Sequence, residues 1–120
     1  MSMIPQQAAF LLDACELIAY ATKQGFTVTG GELFRTPEQQ AIYVKMGRSK
    51  TTNSQHLNRM AIDLNLFLNG KLCTREQVKP LGDWWEAKNP ANRWGGNWRG
   101  LVDAGKSSFV DVPHFERQLT

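Results

Sequence analysis

The chain has 120 residues and a mass of 13.6 kDa, the common size of one domain, which argues against two full domains. Hydrophobic residues at 42% and charged residues at 21% describe an ordinary globular composition, not a disordered one, and ten glycines and five prolines are too few for a fibrous chain. The formal net charge of +3 suits an anionic partner, but Lys23, Arg35, Lys45, Arg48, Lys50 and Arg59 are scattered, so no nucleic-acid partner is expected.

A first helix is predicted from about Pro5 to Gln24, because Phe10, Leu11, Ala14, Leu17, Ile18 and Ala21 recur at three- and four-residue spacing. Pro5 suits its first turn and Gly25 its C-terminal cap. Phe26 to Thr29 alternates like a short strand and stops at Gly30-Gly31. Thr36-Pro37-Glu38-Gln39 has the form of a capping box and opens a helix ending near Gly47. Residues 48–53 are polar and without period, which predicts a surface loop.

Met60 to Leu68 is the clearest strand: Ile62, Leu64, Leu66 and Leu68 point one way, Ala61, Asp63, Asn65 and Phe67 the other. Asn69-Gly70 is a hairpin signal, with Lys71-Leu72 beginning the return. Thr74 to Gln77 repeats the capping-box pattern and starts a third helix, expected to bend or restart at Pro80 and to end at Asn89-Pro90. Residues 93–100 read as a Gly/Trp loop, and Phe109 to Glu116 as a final strand carrying a proline. The order predicts an α+β fold with a small antiparallel sheet.

No basic stretch precedes the apolar residues near the N-terminus, so no signal peptide is expected, and Asp13 and Glu16 interrupt a stretch already too short to span a bilayer. Cys15 and Cys73 stand far apart in no CxxC pattern. Two idle thiols are expected, with a single disulfide as the less favoured alternative.

Both histidines stand near carboxylates, His56 seven residues before Asp63 and His114 within Asp111-Val112-Pro113-His114-Phe115-Glu116. Asp63 lies inside the most hydrophobic strand, where an unpaired carboxylate would be costly. A divalent metal would neutralise it, and two imidazoles with one carboxylate form a familiar zinc set with an open fourth position. An arginine such as Arg35 or Arg59 would serve too, and a histidine beside a carboxylate is commonly a structural pair. Glu116 shares a face with His114 in an extended segment, and Asp111 can lean in from a turn. Spacing alone leaves the general base open between them. Trp84 and Trp85 suit the core and cap of the third helix. Trp94 and Trp98 suit a substrate groove, where Gly95-Gly96 would let backbone approach a peptide.

Taken together, Ser54, His56 and Asp63, the later Asp-x-Pro-His-Phe-Glu segment, Arg35 with Gln39, the strand from Ala61 to Leu64, and Trp94-Gly95-Gly96-Asn97-Trp98 resemble the zinc peptidases that cut peptidoglycan peptides. That group comprises D-alanyl-D-alanine carboxypeptidases and dipeptidases, with the phage L-alanyl-D-glutamate endopeptidases as the most similar branch. The resemblance implies a single zinc peptidase domain over residues 1–120, with about three helices packed on the sheet as in the hedgehog/D-Ala-D-Ala peptidase-like fold. It implies His56, Asp63 and His114 as zinc ligands and Asp111 as general base. It also implies Arg35 as the group that stabilises the oxyanion and Ser54 as support for the first ligand or the substrate; the face Glu116 shares with His114 suits it as an orienting partner.

Arg59 departs from the pattern, which usually has glycine there, and is expected to alter the loop or the groove. The implied activity is hydrolysis of the peptidoglycan peptide stem between L-alanine and D-glutamate by a monomeric phage or prophage endolysin. Such an enzyme is made in the host cytoplasm without a signal peptide or stable membrane insertion, and acts at the wall. The alternatives are a D-alanyl-D-alanine carboxypeptidase or dipeptidase, or a non-catalytic zinc-containing wall-binding module.

Overall fold

A computed structural model describes residues 2–49, 51 and 54–119. Helix α1 spans Ile4–Lys23 with Pro5 in its first turn, and the chain leaves it through Gly25 at φ 97°. Only a residue without Cβ adopts that left-handed cap freely. Phe10, Ala14, Leu17 and Ala21 form its buried stripe, whereas Leu11, expected on that stripe, is 45% exposed.

Strand β1 (Thr27–Gly30) pairs antiparallel with β2 (Ala61–Leu68), and β2 turns through Asn69-Gly70 into β3 (Lys71–Leu72). Asn69 and Gly70 both have positive φ, as a type I′ hairpin turn requires. Helix α2 (Pro37–Lys45) opens with the Thr36 side chain accepting the Gln39 backbone N–H. Of the loop expected over residues 48–53, positions 50, 52 and 53 lie outside the described residues.

Helix α3 (Arg75–Lys88) begins with the full reciprocal capping box of Thr74 and Gln77. It runs through Pro80 without the expected restart. Pro80 lies near the start, where only one intrahelical hydrogen bond is lost, and Val78, Leu81, Gly82 and Trp85 bury the face that holds the helix down. Asn89 ends it in extended conformation before Pro90.

Two boundaries near the C-terminus differ from the sequence expectation. Asn92–Trp94 is a strand, β4, not part of a loop, and the final strand β5 is only His114–Arg117. Residues 109–111 are irregular and 112–113 turn, with the His114 N–H donating to the Asp111 carbonyl. The sheet order is β1-β2-β5-β4, every pairing antiparallel, with β3 beside β2.

Helices α1 and α3 pack against this sheet and against each other. Phe10 of α1, Trp85 of α3 and Phe115 of β5 meet edge to face, with centroids 5.8 Å and 6.3 Å apart. Each such side chain contributes roughly 1.5–3 kcal/mol by leaving water. The Trp85 indole N–H donates to the Glu116 carbonyl at 3.1 Å, so α3 is fixed against the strand that carries His114 and Glu116. Cys15 is exposed and Cys73 buried; both are free. Among the described residues no helix is long and apolar enough to cross a membrane.

Candidate functional site

Pairing of β2 with β5 places Asp63 directly opposite His114, on the face of β2 that alternation assigns to Asp63. His56 reaches the same point from a short 3₁₀ helix, Gln55–Asn58, whose first turn is capped by the Ser54 hydroxyl accepting the His56 N–H at 3.3 Å. The ligand atoms converge. His56 Nε2 lies 3.2 Å from Asp63 Oδ1 and 3.2 Å from His114 Nδ1, and His114 Nδ1 lies 3.6 Å from Asp63 Oδ1.

Each imidazole is fixed at its other nitrogen. His56 Nδ1 faces the Leu33 carbonyl at 3.0 Å and His114 Nε2 faces Glu116 Oε1 at 2.7 Å. With N–H groups donating outward to these acceptors, the lone pairs of His56 Nε2 and His114 Nδ1 point at one another and at a carboxylate oxygen. Such an arrangement is repulsive until a cation or a proton sits between them. A tetrahedral cation bound at about 2.0–2.1 Å needs donor atoms about 3.3–3.4 Å apart, which the observed triangle matches. The residues present therefore fit a zinc-type ion.

Electrostatics agree. Burial alone would raise the Asp63 carboxyl, yet hydrogen bonds from His114 and His56 outweigh it and hold it well below the usual carboxylate range. Burial opposes protonation of His114, but hydrogen bonds to Asp63 and Glu116 push its pKa up to about 9 in the metal-free protein. Among the described residues Asp63 has no arginine partner: Arg35 bonds Glu32 and Gln40, and Arg59 stacks on Phe34 at 4.1 Å.

Asp111 leans over the cluster from the turn before Pro113, its Oδ2 4.0 Å from His114 Nδ1. Burial raises its carboxyl above the ordinary value, which makes it a better proton acceptor. Its position depends on Gly95, which accepts the Asp111 N–H and donates to the His114 carbonyl. A Cβ on Gly95 would stand 2.3 Å from the Asp111 carbonyl oxygen, so the glycine serves the chain's own close packing. Gly96 likewise makes room for the Trp94 ring, a Cβ there falling 2.1 Å from it. Neither glycine is spared for a substrate peptide, contrary to the sequence expectation.

Arg35 faces the same cavity as Asp63 and Asp111, of about 460 Å³. Its Nη2 donates to Glu32 Oε1 at 2.6 Å and its Nη1 to Gln40 Oε1 at 2.7 Å, and its guanidinium lies 4.5 Å from the Tyr43 ring centroid. The glutamine that serves Arg35 is thus buried Gln40, not Gln39, which is only half-buried. Thr36 caps the helix at Gln39 N–H, and that register turns the next residue inward. Glu32, Gln40 and Tyr43 were not singled out by sequence: their separations match no motif, and only the fold brings them around one guanidinium.

A second cavity, of about 390 Å³, opens on the other side of the cluster and is lined by Ser54, Arg93, Trp98, Phe109, His114 and Glu116, among others. Trp98 lies 5.4 Å from the His114 ring and lines this cavity. Trp94 does not. It is fully buried, its indole N–H donating to the Val112 carbonyl, because β4 turns it under α3 against Gly82. Arg59 occupies a left-handed position at φ 55° closing the 3₁₀ turn, a conformation glycine adopts without strain, and its side chain lies in an outer groove with Ile4, Leu11 and Leu33. It leaves both cavities beside the cluster untouched.

Comparison with known proteins follows the same lines. The family described as phage L-alanyl-D-glutamate peptidase matches residues 11–118. An L-alanyl-D-glutamate peptidase of Listeria phage A118 is 31% identical over 105 residues, covering 86% of this chain and 34% of that protein. The chain therefore spans about a third of the length of that relative. The crystal structure of the Serratia marcescens L-Ala D-Glu endopeptidase ChiX shares the fold, with a TM-score of 0.62 at 23% identity over 88% of this chain and 78% of the other.

Proposed function

The chain belongs to the phage L-alanyl-D-glutamate peptidase family, and from that premise we propose that it is a zinc peptidase hydrolysing the peptide stem of bacterial peptidoglycan at the L-Ala–D-Glu bond. The observation that carries the proposal is the convergence of His56 Nε2, Asp63 Oδ1 and His114 Nδ1, each imidazole oriented by an outward hydrogen bond. Zinc, when bound, supplies a Lewis acid and brings the pKa of water to about 7.

The chain's own groups do the rest. Asp111, its basicity raised by burial, accepts a proton from the water that attacks the scissile carbonyl carbon, and returns it to the amine nitrogen as the C–N bond breaks. Arg35, held in place by Glu32, Gln40 and Tyr43, presents fixed positive charge to the oxygen on which negative charge develops. Glu116 keeps His114 in the tautomer that offers Nδ1 inward, and Ser54 fixes the turn that carries His56. A purely structural metal site would have no use for Asp111 or Arg35.

All these groups come from one chain, so a monomer suffices. The net charge of +3 suits the anionic wall, and the proposed setting is host lysis by a phage or prophage enzyme acting at the wall. The test is Asp111→Asn, which keeps shape and removes the proton acceptor. Zinc content and melting temperature should match the unsubstituted protein, while turnover of purified peptidoglycan falls by about two to four orders of magnitude. Undiminished turnover would overturn the mechanism.

A further inference from the structure

The two cavities beside the cluster differ in charge. On the Asp111 side, the carboxylates Glu32, Asp63 and Asp111 share the cavity with two guanidiniums: Arg35, which gives three of its five N–H groups to Glu32 and Gln40, and Arg48, which stacks on the Tyr43 ring. On the other side the carboxylate is Glu116, and its Oε1 is taken by His114. Arg93 enters that cavity from β4, opposite Glu116 in the strand register. Its Nε lies 3.6 Å from Glu116 Oε2, too far for a hydrogen bond, and this buried atom has no hydrogen-bond partner among the described residues. The guanidinium lies over the Trp98 ring at 4.8 Å. Stacking fixes its plane while leaving its edge, where the donors are, available in the cavity.

We propose that Arg93 is a specificity-determining residue, whose guanidinium, braced on Trp98, binds the free carboxylate of the residue following the scissile bond. The inference rests on the peptidase reading above and adds to it the side of the site on which the leaving portion lies. Whichever of its two carboxyls carries the stem onward, a D-glutamyl residue keeps the other free. A planar guanidinium edge in a half-enclosed cavity is the group best shaped to take it, two N–H donors to two oxygens. In the opposite cavity that carboxylate would stand beside Glu32, Asp63 and Asp111, and Arg35 there is given to the oxyanion in the mechanism above.

The test compares initial rates of the zinc-loaded full chain on two synthetic stem peptides. One carries the free carboxylate on the residue after L-alanine and the other carries its carboxamide. The unsubstituted protein should favour the carboxylate by about 10- to 100-fold in kcat/KM, chiefly through KM, as loss of a charge-assisted bidentate contact predicts. Arg93→Gln should bring the two substrates to within about twofold, and Arg93→Lys, which keeps charge but not the fork, should retain part of the preference. Equal rates on both peptides with the unsubstituted protein would overturn the proposal, and that comparison needs no variant to fold. So would an Arg93→Gln protein slowed equally on both, since Arg93 would then act only through Glu116. Cleavage of neither peptide by the unsubstituted protein would instead overturn the peptidase reading itself, and this inference with it.

Discussion

Asp63 and His114 illustrate what single residues contribute. Each is buried beside charged partners that make it tolerable: Asp63 beside His56 and His114, and His114 beside Asp63 and Glu116. Replacing His56, Asp63 or His114 by Ala should therefore remove most bound zinc, read by elemental analysis of the purified variants; retention of stoichiometric zinc in all three would refute the ligand set. Glu116→Gln should weaken zinc affinity or activity by about 10–100-fold, as loss of an orienting partner does. It should cost less than Asp111→Asn costs in turnover.

Metal removal gives a pH prediction. In the metal-free protein the His114 pKa stands at about 9, above its ordinary 6.5, so its stabilisation is fully present below about pH 6.5 and is lost as pH rises through 9. Asp63, held below its ordinary value, works the other way, stabilising at neutral pH and failing only in acid. Thermal melts of chelated protein should thus fall between about pH 6.5 and 9. A melting temperature rising over that window would contradict the assignment of His114 to this cluster.

At the scale of elements, the segment from α3 to β4 fixes the site's geometry. Trp94 fits only because Gly82 and Gly96 have no side chain: a Cβ would approach its ring to 2.2 Å and 2.1 Å respectively. Gly96→Ala should destabilise the fold by about 1–3 kcal/mol through overpacking, visible as a lower denaturation midpoint with zinc bound. Thr74→Ala, which removes one arm of the capping box, should cost about 1 kcal/mol. Thr74 is legible in sequence because capping chemistry is local, and so are the Asn69-Gly70 turn and the alternation in β2.

β4 is illegible for the opposite reason. Three residues carry no periodicity, and Asn92–Trp94 is a strand only because β5 offers an edge to pair with. Phe109 to Glu116 looked like one extended run, yet Asp111 must turn to reach His114, and the strand begins only after Pro113.

For the molecule as a whole, His56, Asp63 and His114, which the fold brings together, stand out in the sequence because an isolated carboxylate in an apolar strand and two histidines beside carboxylates are unusual anywhere. The residues that hold Arg35, and the free edge of Arg93, do not. Glu32, Gln40 and Tyr43 lie within eight residues of Arg35, yet only the turn into α2 gathers them around it and brings Gln40 inward in place of Gln39, while Arg93 meets Trp98 and Glu116 through the pairing of β4 with β5. On the proposed reading, zinc held by the folded state and not by the unfolded chain should, at 1,000 times Kd, stabilise the molecule by about 4 kcal/mol. Chelation should lower the melting temperature and added zinc restore it.

The most direct measurement is digestion of purified peptidoglycan by zinc-loaded, chelated and zinc-restored protein, with mass spectrometry of the released fragments. Loaded and restored protein should release fragments with a new free D-glutamyl amine, leaving L-alanine at the new carboxyl end, and chelated protein should release none. Fragments cut at another bond, or the same fragments from chelated protein, would contradict a zinc-dependent L-alanyl-D-glutamate peptidase.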